Sequence, residues 1–116
     1  MTSFFVKPPA MKPQATVQDL KSRLDWGEPA LTIIDVRDRA AFNELHIQGA
    51  VSMPLPMLVD AVSRNLEQER DIYVYGDSDE MTATATGQLR AAGFQKVAEL
   101  AGGLAAWQAA KYPIEG

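Results

Sequence analysis

A short polar loop carries the side chains of this chain whose types and spacing could do chemistry. It follows an apolar run at 72–75 and precedes a segment of helical periodicity, and it reads Gly76-Asp77-Ser78-Asp79-Glu80, with Met81 and Thr82 after it. Ser78 offers a hydroxyl nucleophile, and the three carboxylates offer cation ligands or proton-transfer groups. A strand, a short loop and a helix N-terminus also direct backbone N–H groups at a bound group. We therefore expect any chemistry of the protein to lie in this loop.

Two residue counts limit that chemistry. The chain contains no cysteine, which excludes disulfides, thiolate metal sites and thiol nucleophiles, and its single histidine, His46, excludes multi-histidine metal sites. Ser78 would need His46 as its base. In a parallel sheet these residues belong to connections at opposite edges, separated by roughly 15 Å for a strand of five residues. Ser78 is therefore expected to cap the helix, and His46 to be a turn residue bonded to backbone.

The acidic residues of the loop favour a structural interpretation. Carboxylates near a helix N-terminus stabilise it by a few tenths to about 1 kcal/mol each. Cation binding by this cluster with Asp35 or Asp38 is the alternative, although the spacing fits no EF-hand loop. Asp35 and Arg37 are expected to fix neighbouring loops as a charged pair, and a ligand-binding Arg37 is the alternative. No metal or cofactor is expected.

Bulk properties narrow the class of protein. The chain has 116 residues, 47% of them hydrophobic, which predicts one globular domain. A net charge of −4 argues against a nucleic-acid partner. Neither an apolar run of membrane-spanning length nor a signal-peptide pattern at Phe4-Phe5-Val6 is found, so a cytoplasmic location is expected.

The elements that position the loop alternate between strands and helices. Strands are predicted at 31–36, 50–53, 72–75 and 96–100, and helices at 17–24, 38–45, 58–66, 81–92 and 104–110. Thr16 and Asp19 form a capping box for the first helix. Every connection between strands can hold a crossover, which predicts a parallel sheet with helices on both faces. Residues 1–13 are expected to be a flexible arm, pinned by Phe4 and Phe5, and 14–116 the domain.

Three patches resemble the rhodanese-like domain family, from about Gln14 to Pro113. Residues 33–37, IIDVR, resemble its Asp-Val-Arg strand end, and residues 41–50, AFNELHIQGA, resemble its Glu-Phe-x-x-Gly-His-Ile-Pro-Gly-Ala segment, with Leu45 and Gln48 as departures. Residues 100–107, LAGGLAAW, match its Gly-Gly-x-x-Ala-Trp ending. The resemblance implies a three-layer α/β/α sandwich around a mostly parallel five-stranded sheet, with a minor first strand near Gln14-Ala15.

The resemblance also locates a missing nucleophile. Active members of the family move sulfane sulfur through a cysteine persulfide in a loop Cys-x-x-x-x-Arg-Ser/Thr that follows the fourth strand, where N–H groups stabilise the thiolate. In this sequence the cysteine position is Gly76 and the arginine position is Met81, while Thr82 keeps the pattern. The resemblance therefore implies a catalytically inactive rhodanese-like domain.

A role in protein binding or regulation is expected in place of catalysis. The candidate surface is the carboxyl edge of the sheet, which combines loop 76–80, the Leu55-Pro56-Met57 turn and Asp38-Arg39. The binding candidates beside the loop are Asp35, Arg37, Asp38 and Met57. The acidity of this edge suggests a basic peptide or a basic neighbouring domain as partner, and neither nucleic acid nor membrane is expected. The alternative is a sulfurtransferase-related enzyme, or a sulfur carrier that acts with a partner's cysteine.

Overall fold

A parallel sheet of five strands forms the centre of the fold in this computed structural model, which describes residues 11–27 and 30–116. Its strand order is β1-β6-β5-β2-β4. These strands are β1 (Gln14–Ala15), β2 (Leu31–Asp35), β4 (Val51–Ser52), β5 (Asp71–Tyr75) and β6 (Val97–Leu100). All neighbours pair in parallel, which confirms the predicted sheet and its minor first strand.

Helices connect the strands and begin where the local sequence predicts. The described residues form α1 (Val17–Trp26), α2 (Arg39–Glu44), α3 (Leu58–Asn65), α4 (Asp79–Ala91) and α5 (Gly103–Ala109), with a 3₁₀ turn at Leu55–Met57. Thr16 and Asp19 form the predicted capping box, with reciprocal hydrogen bonds of 3.0 and 2.9 Å. Asp38 caps α2, because its Oδ1 accepts from the N–H of Ala41 at 2.8 Å.

The side chains of the sheet alternate between two cores, as the pleat of a strand requires. In β5, Ile72 and Val74 face a cluster with α3 and α4, whereas Tyr73 and Tyr75 face a cluster with α1 and α5. All four side chains are buried. The result is the three-layer α/β/α sandwich, with β5 covered on both faces. The carboxyl end of β5 is consequently held firmly where the candidate loop begins.

The predicted third strand at 50–53 is shorter and differently connected than expected. Only Val51–Ser52 joins the main sheet, whereas His46–Ile47 forms β3 and pairs antiparallel with β7 (Ile114–Glu115). The prediction of His46 as a turn residue is therefore wrong, because β7 provides a partner strand. The predicted bond to backbone is confirmed, since Nδ1 of His46 lies 2.7 Å from the carbonyl of Phe42. The C-terminal segment is brought there by Pro113, whose carbonyl accepts from the indole N–H of Trp107 at 2.7 Å.

The predicted N-terminal arm, residues 1–13, is described only in part. Phe4 and Phe5, the predicted contacts of the arm, lie outside the described residues. Within the described part, the carbonyl of Pro13 accepts a hydrogen bond of 2.8 Å from the N–H of Glu99 on β6.

No helix in the described ranges is long and apolar enough to cross a bilayer.

Candidate functional site

Side chains at the start of α4 form hydrogen bonds with the backbone of the loop after β5. Helix α4 begins at Asp79, and Ser78 is its N-cap, with Oγ accepting from the N–H of Met81 at 3.1 Å as predicted. The Thr82 hydroxyl accepts from the N–H of Gly76 at 2.9 Å and donates to the carbonyl of Ser78 at 3.0 Å. The backbone donors of Gly76 and Met81 are therefore already paired within the chain.

Met81 fills the space above Gly76. A Cβ built on Gly76 would lie 3.0 Å from Sδ of Met81 and 3.1 Å from a methyl carbon of Val36. The same Sδ accepts a hydrogen bond of 3.4 Å from the N–H of Asp77. Gly76 has a φ outside the left-handed region, so its backbone would accept a side chain. A side chain at this position would require small shifts of Met81 and Val36.

The acidic residues of the loop are exposed, and one of them has a second role. Asp77, Asp79 and Glu80 all face solvent at the start of α4, where the helix dipole favours carboxylates. Oδ1 of Asp79 also accepts a hydrogen bond of 3.0 Å from the N–H of Gly102. Sequence reasoning missed this contact, since nothing in the local pattern links residues 23 positions apart. Within ranges 11–27 and 30–116, no group of three or more potential metal-ligating side chains occurs.

Asp35 and Arg37 are tightly bound to each other at the end of β2. Asp35 is fully buried, and it accepts from the backbone N–H of Arg37 at 2.9 Å and from its Nη2 at 2.7 Å. Nη2 of Arg37 also donates to the carbonyl of Leu45 at 2.6 Å. The hydrogen bonds that Arg37 donates to Asp35 raise the pKa of Arg37, which keeps the guanidinium charged. The pair fixes the segment before β3 against the end of β2.

His46 uses both ring nitrogens away from Ser78. Its Nδ1 lies 2.7 Å from the carbonyl of Phe42, on whose ring it stacks at 3.7 Å, and its Nε2 lies 3.3 Å from a carboxylate oxygen of Glu115. The hydroxyl of Ser78 serves the helix cap instead. The two residues therefore form no catalytic dyad.

The connections that carry Ser78 and His46 were expected to be separated by a strand of about five residues. Strand β4 has two residues, which pair with Ile34 and Asp35 at the carboxyl end of β2. In addition, the N–H of Ile47 donates to the hydroxyl of Tyr75, the residue before Gly76, at 3.1 Å. Ser78 and His46 each form hydrogen bonds or polar contacts with other residues.

Val36 joins the loop to the neighbouring apolar turn. Its N–H donates to the carbonyl of Tyr75 at 3.0 Å, and its carbonyl accepts from the N–H of Leu55 at 3.0 Å. The 3₁₀ turn and the loop thus adjoin at one edge of the sheet. We call the exposed part of this edge the carboxyl-edge surface, which consists of Asp38, Arg39, Pro56, Met57, Asp77, Asp79 and Glu80.

The family of the chain follows from its match to a family model. The model of the rhodanese-like domain matches residues 16–110, which include the whole sheet except Gln14 and Ala15. The chain belongs to the rhodanese-like domain family. Among solved structures, the crystal structure of the Alr3790 protein from Anabaena sp. is similar to this rhodanese-like domain, with 58% identity and a TM-score of 0.86. The match covers 88% of this chain and 80% of that chain.

Two curated proteins similar to this rhodanese-like domain carry names related to sulfur transfer. The probable adenylyltransferase/sulfurtransferase MoeZ of Mycobacterium tuberculosis is 32% identical over 93 residues, which are 79% of this chain and 24% of that protein. The putative sulfur carrier protein YrkF of Bacillus subtilis is 28% identical over 95 residues, 82% of this chain and 50% of that protein. The chain thus spans half or less of the length of these two relatives.

Proposed function

We propose that this chain is a catalytically inactive rhodanese-like domain that acts through protein binding or regulation. The observation that carries the proposal is the arrangement at Gly76. The position that the family resemblance assigns to the sulfur-bearing cysteine has no side chain, and a Cβ there would lie 3.0 Å from Sδ of Met81, which would have to shift. The chain has no other cysteine to replace it.

The electrostatics of the loop support the same proposal. Active members bind a sulfur anion among backbone N–H groups, beside an arginine. Here Met81 is uncharged, and the exposed carboxylates of Asp77, Asp79 and Glu80 would repel thiosulfate. The nearest arginine of the sheet edge, Arg37, is neutralised by Asp35. The loop therefore lacks both the nucleophile and the positive charge that the chemistry needs.

A sulfurtransferase assay tests the proposal. Purified full-length chain is incubated with thiosulfate and cyanide, and thiocyanate is measured against a protein-free blank. We expect no rate above the blank. Turnover above the blank, or a mass increase of one sulfur atom on the unaltered chain, would overturn the proposal.

A restored variant gives the assay its positive comparison. Gly76→Cys together with Met81→Arg introduces the thiol and the cation while removing the thioether that a Cβ at 76 would meet. We expect the double variant to take up one sulfur atom from thiosulfate by mass spectrometry. The matched control is Gly76→Ser with Met81→Arg, which has the same shape and charge but no thiol and should take up none.

The second candidate function is a sulfur carrier or sulfurtransferase-related role with a partner's cysteine. The names of the relatives MoeZ and YrkF favour it. In that case the chain would accelerate sulfur transfer from thiosulfate to a cysteine-containing peptide, although it holds no persulfide itself. A transfer rate equal to that without the chain would exclude this candidate for that peptide.

A cytoplasmic location is part of the first proposal. Imaging a fluorescent fusion of the full-length protein in its own host would test it. Signal at the cell envelope alone would contradict it.

A further inference from the structure

We propose that the carboxyl-edge surface binds a basic polypeptide segment that carries one large apolar side chain, which packs against Met57. This inference rests on the protein-binding function proposed above and names the chemistry of the partner. It combines an exposed apolar anchor point with unpaired negative charge around it.

The apolar part of the surface is presented on a rigid turn. The side chain of Met57 is 52% exposed, the largest value for a large hydrophobic residue in the described part of the chain. Its backbone N–H donates to the carbonyl of Pro54 at 3.0 Å, and the N–H of Leu55 donates to Val36. Pro54 and Pro56 restrict the backbone further. Such a turn loses little freedom on binding, while the flexible thioether can adapt to a partner's side chain.

The negative charge around Met57 favours a positively charged partner. Asp38, Asp77 and Glu80 are exposed, and none of them forms an ion pair within residues 11–27 and 30–116. Arg37 at this edge is neutralised by Asp35, which leaves Arg39 as the exposed cation. The net potential of the surface is therefore negative, and a basic segment complements it.

The opposite edge of the sheet also carries exposed acids, Glu67 and Glu69, but cations accompany them there. Arg23 pairs with Asp71 at 2.9 Å, and Arg70 donates to the carbonyl of Leu31 at 2.9 Å. Positive and negative side chains are thus mixed at the amino edge, whereas four carboxylates accompany one arginine on the carboxyl-edge surface. A basic partner is consequently directed toward one end of the domain.

The apolar and acidic parts are close enough for one short segment. The turn and the loop both contact Val36, and β4 and β5 are separated only by β2. Two strand spacings amount to about 10 Å. An extended segment of about four residues spans that distance. A single basic segment can therefore contact Met57 and the loop carboxylates together.

A designed peptide and two matched controls test the inference. The probe is a peptide with one central tryptophan flanked on each side by lysines and serines. In the first control peptide the tryptophan becomes serine, and in the second the lysines become glutamates. Binding to the ¹⁵N-labelled full chain is followed by amide shifts. With the tryptophan–lysine peptide we expect amide shifts at residues 55–57 and 76–81 but not at 67–70. The serine peptide should bind with about tenfold lower affinity, and the glutamate peptide should not bind.

Variants of the chain assign the contacts. We expect Met57→Ser to lower the affinity for the tryptophan–lysine peptide by about tenfold. Asp77→Asn or Glu80→Gln should each lower that affinity by about two- to fivefold. The matched controls are Ile114→Ser, an exposed apolar residue on β7, and Glu69→Gln, an exposed acid before β5. Both should stay within about twofold of the unaltered chain.

Several outcomes would overturn the inference. The first three are amide shifts confined to the amino edge, equal affinity for the glutamate peptide, and no binding at millimolar peptide. The fourth is concentration-dependent broadening at residues 55–57 without peptide, which would assign the surface to a second copy of the chain. Each leaves the proposed lack of catalysis intact, because that proposal is decided separately by thiocyanate formation. Turnover in the thiosulfate assay would instead overturn the proposed function.

Discussion

The backbone N–H of Gly102 donates a 3.0 Å hydrogen bond to Oδ1 of Asp79, which joins the turn before α5 to the first residue of α4. The turn needs glycine, because Gly102 has a φ of 77° and Gly103 one of 50°. One carboxylate thus serves both the N-terminus of α4 and the loop after the neighbouring strand β6. The acidic loop is therefore part of the scaffold as well as of the exposed surface.

Removal of this link should loosen the turn measurably. We expect Asp79→Ala to lower the free energy of unfolding by about 1–2 kcal/mol, since a helix-terminal carboxylate and a hydrogen bond are lost. Amide exchange at Gly102 should accelerate, as measured by NMR. Glu80→Ala is the matched control, because Glu80 is an exposed acid of the same helical turn, and it should change stability by less than about 0.5 kcal/mol. Unchanged exchange at Gly102 in Asp79→Ala would contradict the role assigned to the bond.

Loss of Arg37 should lower the free energy of unfolding much more than loss of Asp79. Arg37→Ala leaves the fully buried carboxylate of Asp35 without its ion-pair partner, and breaking a buried pair in this way costs roughly 3–5 kcal/mol. Urea denaturation would measure the loss. Arg39→Ala removes an exposed arginine two residues further along and should be nearly neutral. Equal effects of the two variants would show that the Asp35–Arg37 pair contributes no special stability.

Tyr75 should make stability depend on alkaline pH. Burial, followed by the hydrogen bond with Asp35, raises the pKa of the Tyr75 phenol above its ordinary value of about 10. The unfolded chain therefore loses this proton first. The contribution of Tyr75 is fully present below pH 10 and decreases above it, by up to about 1.4 kcal/mol per pH unit.

Comparison of two phenylalanine variants isolates this effect. Tyr75→Phe should flatten the decline in the free energy of unfolding above pH 10, measured by urea denaturation between pH 8 and about pH 11. It should also lose about 1 kcal/mol at neutral pH, because the N–H of Ile47 loses its acceptor. Tyr112→Phe, at a partly exposed tyrosine, should keep the decline. Parallel pH profiles for Tyr75→Phe and the unaltered chain would contradict the prediction.

A double-mutant cycle tests the contact between Met81 and Gly76. Gly76→Ala should cost about 1 kcal/mol, because the added Cβ would lie 3.0 Å from Sδ of Met81. In a Met81→Ala background the same change should cost less, because only the contact of 3.1 Å with Val36 remains. Gly87→Ala is the control, since a Cβ there meets nothing within 4 Å and alanine in a helix is favoured by about 0.5–1 kcal/mol. Additive effects at 76 and 81 would show that the two residues do not interact.

Local chemistry made much of the fold predictable. The capping box at Thr16, the cap at Asp38 and the cap at Ser78 depend on neighbours three residues away, which the sequence displays directly. The alternation in β5 likewise reports two buried faces. Family resemblance then supplied the strand β1 at Gln14–Ala15, which is too short to predict from periodicity.

Contacts between distant segments were not predictable in the same way. Strands β3 and β7 have two residues each and show no alternation, and their pairing of Ile47 with Ile114 depends on how α5 ends. At the site, the substitutions at 76 and 81 were visible in the sequence. That the side chain of Met81 folds back over Gly76 was not, because it depends on a rotamer and on the packing of Val36.

The fit of Met81 against Gly76 has a consequence for the history of such a site. A single mutation that restored cysteine at 76 would place its side chain against the thioether, and arginine at 81 alone would provide a cation with no thiolate to stabilise. Neither single change by itself supplies both the thiol and the cation. On the function proposed above, a gain of sulfur transfer would therefore take two coupled changes, one at each position.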